Sequence, residues 1–170
     1  MASVVRLRPV EQEDLSRLVL FNCDAEAAGE WLWVGYRMDQ VRQTERRWAE
    51  DGLIGGDQSY LAVVADGQLA GWVTWLPVTR SSGAIEVGIA LFPEYRGRGI
   101  GTDAQRQLID YLFATTMTNR LQALTEVSNV AEQKALEKAG FLREGVMRGL
   151  IFRNGAWRDS VVYGLVRSDL

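Results

Sequence analysis

Apolar and polar positions alternate most regularly between Ala84 and Leu91, where Ile85, Val87, Ile89 and Leu91 fall on every second residue against Ala84, Glu86, Gly88 and Ala90. That is the period of a strand with one strongly apolar face. Pro93 ends it. Gly97, Gly99 and Gly101 then alternate with Arg96, Arg98 and Ile100, and from Thr102 and Asp103 onward Ala104, Leu108, Tyr111, Leu112 and Thr115 recur at helical spacing. A strand, a glycine-rich loop and a helix start follow one another without a break.

The same reading gives a strand over residues 4–10 and a helix over 11–21 with acids in its first turn. An irregular stretch, 24–37, holds Trp31, Trp33 and Tyr36. A second helix follows over 39–51, with Asp39 as N-cap, Val41, Thr44 and Trp48 inward and Gly52 as stop. Strands over 59–65 and 69–77 meet at the hairpin signal Asp66-Gly67, and Ser81-Ser82-Gly83 turns the chain into the strand at 84. Beyond the glycine loop, residues 121–128 form a strand reached through a helix and therefore parallel to the first. A helix over 130–139 has Asn129 and Glu132 in the form of a capping box and Gly140 as stop, and strands over 141–152 and 156–166 flank Asn154-Gly155, a type I′ turn signal.

Composition narrows the chemistry. At 170 residues, 47% hydrophobic and 24% charged, the chain makes one well-cored domain, 1–170, without repeat or linker. A net charge of −3 offers no general attraction to nucleic acid or an anionic membrane, so neither is expected as a partner. The N-terminal residues lack a signal-peptide core and no apolar run reaches spanning length, which points to the cytoplasm. With no histidine and a single cysteine, Cys23, the usual zinc, triad and imidazole-base chemistries are excluded, no metal is expected, and a general base has to be a carboxylate, a water, or an unusual tyrosine or lysine.

The glycine loop is built for anions: glycines let backbone N–H groups approach an oxygen-rich ligand, a helix N-terminus follows, and the guanidiniums of Arg96 and Arg98 stand alongside. No lysine fits a mononucleotide P-loop, and the spacing G-x-G-x-G is not the dinucleotide fingerprint. Arg96-Gly97-Arg98-Gly99-Ile100-Gly101, preceded by Pro93-Glu94-Tyr95 and followed by Thr102, resembles the acetyl-CoA signature [QR]-x-x-G-x-[GA] of the GNAT N-acetyltransferase superfamily. The order β-α-α-β-β-β-α-β-α-β-β is also that of the GNAT fold. The resemblance therefore covers essentially the whole chain and implies an α/β (α+β) domain with a central mixed, twisted sheet of about seven strands flanked by about four helices.

Within that superfamily, Asn129 and the run Glu137-Lys138-Ala139-Gly140-Phe141 look like the N…EK-x-GF signature of the ribosomal-protein N-terminal (RimJ/RimL-type) acetyltransferases and their small-molecule-modifying relatives. The resemblance implies acetyl-CoA as co-substrate, held by Ile89, Ala90, Leu91, Arg96 to Thr102, Asn129 and Lys138, and a small-molecule or peptide amine as acceptor; a homodimer is compatible with it. Backbone N–H groups along Ile89 to Leu91 supply the oxyanion donor if that strand splays from its neighbour, as it does in the family. Two positions depart from the pattern: Leu136 stands where many members have a tyrosine acid, and Glu132 where the ribosomal-protein group often has serine.

The amine must lose a proton before it attacks the thioester carbonyl. Glu86, on the strand leading to the loop, is the best-placed acceptor, against the alternative of a solvated residue on the polar strand face, and Glu126 on the adjoining strand is the reserve. Asn129 is either a pantetheine ligand or a helix cap. Trp31, Trp33 and Tyr36 either wall the acceptor pocket or belong to the core. The reading is an N-acetyltransferase, with a non-catalytic acyl-CoA sensor or scaffold of the same fold as the alternative.

Overall fold

The structure, a computed structural model, describes residues 3–33, 35–79 and 83–170, with Asp39 described by its backbone alone. Ser81 and Ser82 of the expected turn before residue 84 lie outside the described residues. Seven strands form one sheet in the order β1-β2-β3-β4-β5-β7-β6. They are β1 Val5–Arg8, β2 Ser59–Ala65, β3 Gln68–Pro77, β4 Ala84–Leu91, β5 Arg120–Glu126, β6 Leu142–Arg153 and β7 Ala156–Val166. Every neighbouring pair is antiparallel except β4 and β5, which are joined through a helix. The two hairpin turns are as expected, with Asp66 and Gly67 at φ 51° and 81° and Asn154 and Gly155 at 51° and 74°, the left-handed pair that a type I′ turn requires.

Side-chain alternation on β4 separates two cores. Val87, with Ile85, Ile89 and Leu91 alongside, meets α5 (Ile100–Thr115) through Ile100, Ala104, Leu108 and Leu112, and α6 (Val130–Ala139) through Leu136. Ala90 on the other face joins Ala62, Trp72 and Phe92 beneath Leu18, Phe21, Ala28 and Leu53, with Trp48 of α4 (Met38–Asp51) packed alongside. Gly71 of β3 sits opposite Leu91 at φ 153°, and a Cβ there would run into Ala90 O, so the backbones of β3 and β4 approach more closely than any other residue permits.

The expected helix over 11–21 is instead a 3₁₀ turn (Gln12–Asp14) and two short helices, α1 (Leu15–Leu18) and α2 (Leu20–Cys23), followed by α3 (Ala25–Ala28) capped by the Asp24 side chain. Tertiary contacts override the helical period here. Phe21 turns edge-on to Trp72 and Phe92 at centroid distances of 4.2 and 5.2 Å, and Arg17 lies 3.9 Å over the Phe92 ring. Asp39 falls within α4, whose N-cap position is Arg37, while Gly52 stops the helix at φ 66° as expected.

The β6–β7 hairpin is anchored by charge. Arg153 donates to both carboxylate oxygens of Glu126 at 2.6 and 2.8 Å, the pair is buried, and the Trp31 ring lies 5.0 Å from the guanidinium. Removing one member of such a pair typically costs about 3–5 kcal/mol, because the other charge is left buried and uncompensated. Arg153→Met should therefore lower the urea-unfolding free energy by about that amount, and the double substitution Glu126→Gln/Arg153→Met should recover most of the loss.

Candidate active site

β4 and β5 pair only at Ala84 with Arg120, Ile85 with Leu121 and Glu86 with Gln122, and then diverge. Both continue as strands, β4 against β3 as far as Leu91 and β5 against β7 as far as Glu126. The bonds at the ends of the β3–β4 ladder, Val78 N–H to Ala84 O and Phe92 N–H to Ala70 O, fix its phase. Even-numbered residues of β4 direct N–H and C=O to β3, and odd-numbered residues direct theirs to the β5 side. Of the expected oxyanion donors, Ile89 and Leu91 thus face the cleft, whereas the Ala90 N–H belongs to the sheet.

At the mouth of that cleft, Gly97 and Gly99 take positive φ of 70° and 81°, and Gly99 occupies the N-cap of α5 with no side-chain cap. The first bond of the helix comes from Asp103 N–H to Gly99 O at 3.2 Å, which leaves the N–H groups of Ile100, Gly101 and Thr102 directed out of the helix end. The loop arginines are committed differently from the sequence expectation. Arg96 donates to Leu91 O at 2.8 Å and to Ala27 O and Ala28 O at 3.0 and 3.2 Å, closing the C-terminal end of α3. Arg98, half exposed, donates to Ser3 Oγ at 3.0 Å and lies 3.6 Å from Asp66. The donors at the loop that the described residues leave uncommitted are thus first the backbone N–H groups.

Asn129 accepts from the Glu132 N–H at 3.3 Å, so the cap is formed, but only half of the expected box. The Glu132 carboxyl turns away from the cap to meet Gln105 Nε2 at 2.5 Å, between α6 and α5. Burial raises it to about 7, against an ordinary 4.5, with the Gln105 bond opposing the shift. Gln105 Oε1 is buried and has no partner among the described residues, and a proton on Glu132 offers one. The sequence marks Glu132 as a capping-box partner and as a departure from the group's serine; its pairing with Gln105, 27 residues away, is visible only in the structure. Leu136, one turn on, is buried in the core. Lys138 stands exposed in the last turn of α6, about 13 Å along the helix from Asn129, so the structure does not bring the two together.

On the opposite sheet face a 530 Å³ cavity opens between α4 and strands β2 to β4, with Gly88, Ile89 and Ala90 in its floor and Leu18, Phe21 and Trp72 contributing apolar surface. Glu86 lies two residues before Gly88 on the same face, half-buried, with its carboxylate accepting from Gln122 Nε2 at 3.1 Å. Glu126 is unsuited to the reserve role. The hydrogen bonds from Arg153 hold its carboxyl below the usual carboxylate range. The aromatic cluster is not brought to the cavity wall: Trp31 covers Arg153, Trp33 packs on the second core, and Tyr36 stands 79% exposed, edge-on to Trp33 at 5.2 Å. Polar residues of α4 line the cavity instead, Thr44 as its inward position in the sequence suggests and Gln40, Gln43 and Arg47 beside it.

Residues 5–142 match the family described as Acetyltransferase (GNAT) domain. The chain is 28% identical to the putative ribosomal N-acetyltransferase YdaF of Bacillus subtilis (strain 168), over 96% of this chain and 90% of that protein. It is 26% identical to the spermidine N(1)-acetyltransferase of Escherichia coli (strain K12), over 94% and 84%. Among solved structures, Mycobacterium smegmatis RimJ in complex with CoA-disulfide superposes with a TM-score of 0.81 at 22% identity, covering 99% of this chain and 86% of that one.

The raised Glu132 carboxyl makes a signed prediction. Its folded value lies above its unfolded one, so its contribution to stability is complete below pH 4.5 and is lost as pH rises through about 7. Glu132→Gln should be more stable than wild type at pH 8 by up to about 3 kcal/mol, with the advantage shrinking to nothing near pH 4.5. Urea titrations of both proteins between pH 5 and 8 measure it, and a difference that does not vary with pH would show that Glu132 stays ionised.

Proposed function

The chain belongs to the GNAT acetyltransferase family, and on that premise we propose that it moves the acetyl group of acetyl-CoA directly to a primary amine of a peptide N-terminus or small molecule, in the manner of the RimJ/RimL-type group. The observation that carries the reading is the divergence of β4 from β5, with an uncapped helix N-terminus at the cleft mouth and a cavity on the other face of the same strand. The N–H groups of Ile89 and Leu91 suit an extended ligand that carries its own amide groups, as the pantetheine arm does. The N–H groups of Ile100, Gly101 and Thr102 suit its phosphates, with Arg98 as the nearest half-exposed cation.

In the ternary complex the amine occupies the cavity, and Glu86 takes its proton directly or through a water. The nitrogen lone pair then attacks the thioester carbon, and a cleft-facing N–H stabilises the oxyanion that forms. Collapse of that intermediate breaks the carbon–sulfur bond and releases CoA as the thiolate, and the nitrogen gives its surplus proton to solvent. The buried Leu136 has no proton to give that thiolate. Similarity to YdaF, a putative ribosomal N-acetyltransferase, supports a protein acceptor, and similarity to the spermidine N(1)-acetyltransferase supports a small amine.

Cofactor choice is tested by thermal melts. Acetyl-CoA or CoA at a hundredfold excess over Kd should add about 2.7 kcal/mol to the native state, and equal concentrations of ATP or NAD much less. Equal shifts for CoA and ATP would overturn the assignment.

The proton acceptor is tested kinetically. Glu86→Gln should lower kcat by about 10²–10⁴-fold with CoA affinity nearly unchanged, and should abolish the acid limb of the kcat–pH profile. Retention of more than about a third of the rate, with the same acid limb, would make Glu86 a positioning residue.

A further inference from the structure

Charge on the cavity wall separates the acceptors that the transferase reading leaves open. The charged side chains lining the cavity, among the described residues, are Arg37, Arg47 and Asp57. Arg47 is already committed: it donates to Gln58 O at 2.6 Å and Gly55 O at 3.1 Å, and lies 3.7 Å from Asp51. Arg37 is different. It occupies the N-cap position of α4, its side chain is exposed, and it has no side-chain hydrogen bond or ion pair among the described residues. Gln40 and Gln43, on the first turns of the same helix, also line the cavity and carry amide donors without a net charge.

A polyamine brings further ammonium groups beyond the one that reacts, and each is held most strongly by a carboxylate. Against two guanidiniums the described wall offers one, Asp57, and Glu86 has to serve the reacting amine. A carboxylate finds the reverse: a free guanidinium that can bind it bidentately, the positive end of a 14-residue helix, and neighbouring amide donors. Resting on the transferase reading, we infer that the acceptor is an amine that carries a carboxylate, and that Arg37 is the residue that selects it. A peptide with an acidic N-terminal residue and a free amino acid share this chemistry.

Matched pairs that differ only in carboxylate against amide test the inference: C-terminally amidated peptides beginning with Asp or Asn, and free alanine or alaninamide, with spermidine as the cationic reference. Acetylation should favour the acidic member of the pair of the right size by tenfold or more in kcat/KM, and which pair shows it identifies the source. Arg37→Gln should bring that ratio near one, chiefly through KM. Arg37→Glu should invert it and raise turnover of spermidine, while thermal stabilisation by CoA stays that of wild type in both variants. Spermidine as the best wild-type acceptor, or a ratio indifferent to Arg37→Gln, would overturn the inference. If CoA binds but no amine in the panel is acetylated, it is the transferase reading that has failed for these acceptors. Calorimetric binding of the same pairs to the CoA-loaded protein then decides the charge preference, with equal affinity for the two members counting against it.

Discussion

Two parallel strands that hold together for three residue pairs and then part impose the constraint on which the remaining structure depends. Backbone N–H and C=O groups taken from water need partners, so a strand cannot leave its neighbour unless something else serves the exposed side. β4 remains paired to β3 and β5 to β7 along their lengths, which makes the sheet two rigid halves, β1 to β4 and β5-β7-β6, joined at a short seam. The cleft cannot close by sliding the halves together, because Val87, Leu121, Leu136 and Phe141 fill the space beneath it in one continuous core with α5. Packing at crystal-like density turns the splay into a fixed shape. The Ile89 and Leu91 N–H groups are thereby aimed before any ligand arrives, and this preorganisation is what makes a backbone donor effective against developing charge.

Charge then ties the irregular N-terminal segment to that frame. Arg17 reaches Glu94 at 2.6 Å, and Arg96 returns the contact from the loop to the carbonyls at the end of α3. The segment over the cavity side of the sheet and the glycine loop are therefore joined through two arginines. Exposed ion pairs contribute little to stability, and this one is half exposed, so its value is chiefly geometric. The Arg96 bonds to three carbonyls are the firmer part of the link, since two of them serve Ala27 O and Ala28 O at the end of α3, beside the Gly29 N–H bond to Ala25 O.

Local rules were legible wherever one element's own sequence decided its shape. β4, α6, the two left-handed hairpin turns and the parallel pairing of β5 follow from alternation, helical period, Asx-Gly pairs and the crossover length, and all stand where the sequence placed them. The helix over 11–21 did not, because Phe21 and Arg17 answer to Trp72, Phe92 and Glu94, more than 50 residues away. The site shows the same division. The order of strand, glycine loop and helix start was readable, but how the loop guanidiniums are committed was not, since the carbonyls that occupy Arg96 come from Ala27 and Ala28. Nor could the residues 31–36 be assigned to wall or core, because the side chain that claims Trp31, Arg153, lies at the far end of the chain.

Three glutamates near the cleft show how far residue type underdetermines chemistry. Glu126 and Glu86 sit on adjoining strands, yet Glu126 is closed off by a bidentate guanidinium that favours its charged form, whereas Glu86 has only a neutral amide from Gln122. A carboxylate held by a full positive charge gives up that interaction when it accepts a proton; one held by an amide gives up far less. Glu132 is the third case, with an amide partner like Glu86 but a buried carboxyl, so its charged form is disfavoured and its proton retained near neutrality. The three partners, Arg153, Gln122 and Gln105, arrive from β6, β5 and α5 respectively. The charge states of Glu126 and Glu132 are thus set by partners that other elements pack against them, while Glu86 stands half-buried with the Gln122 amide as its hydrogen-bond donor.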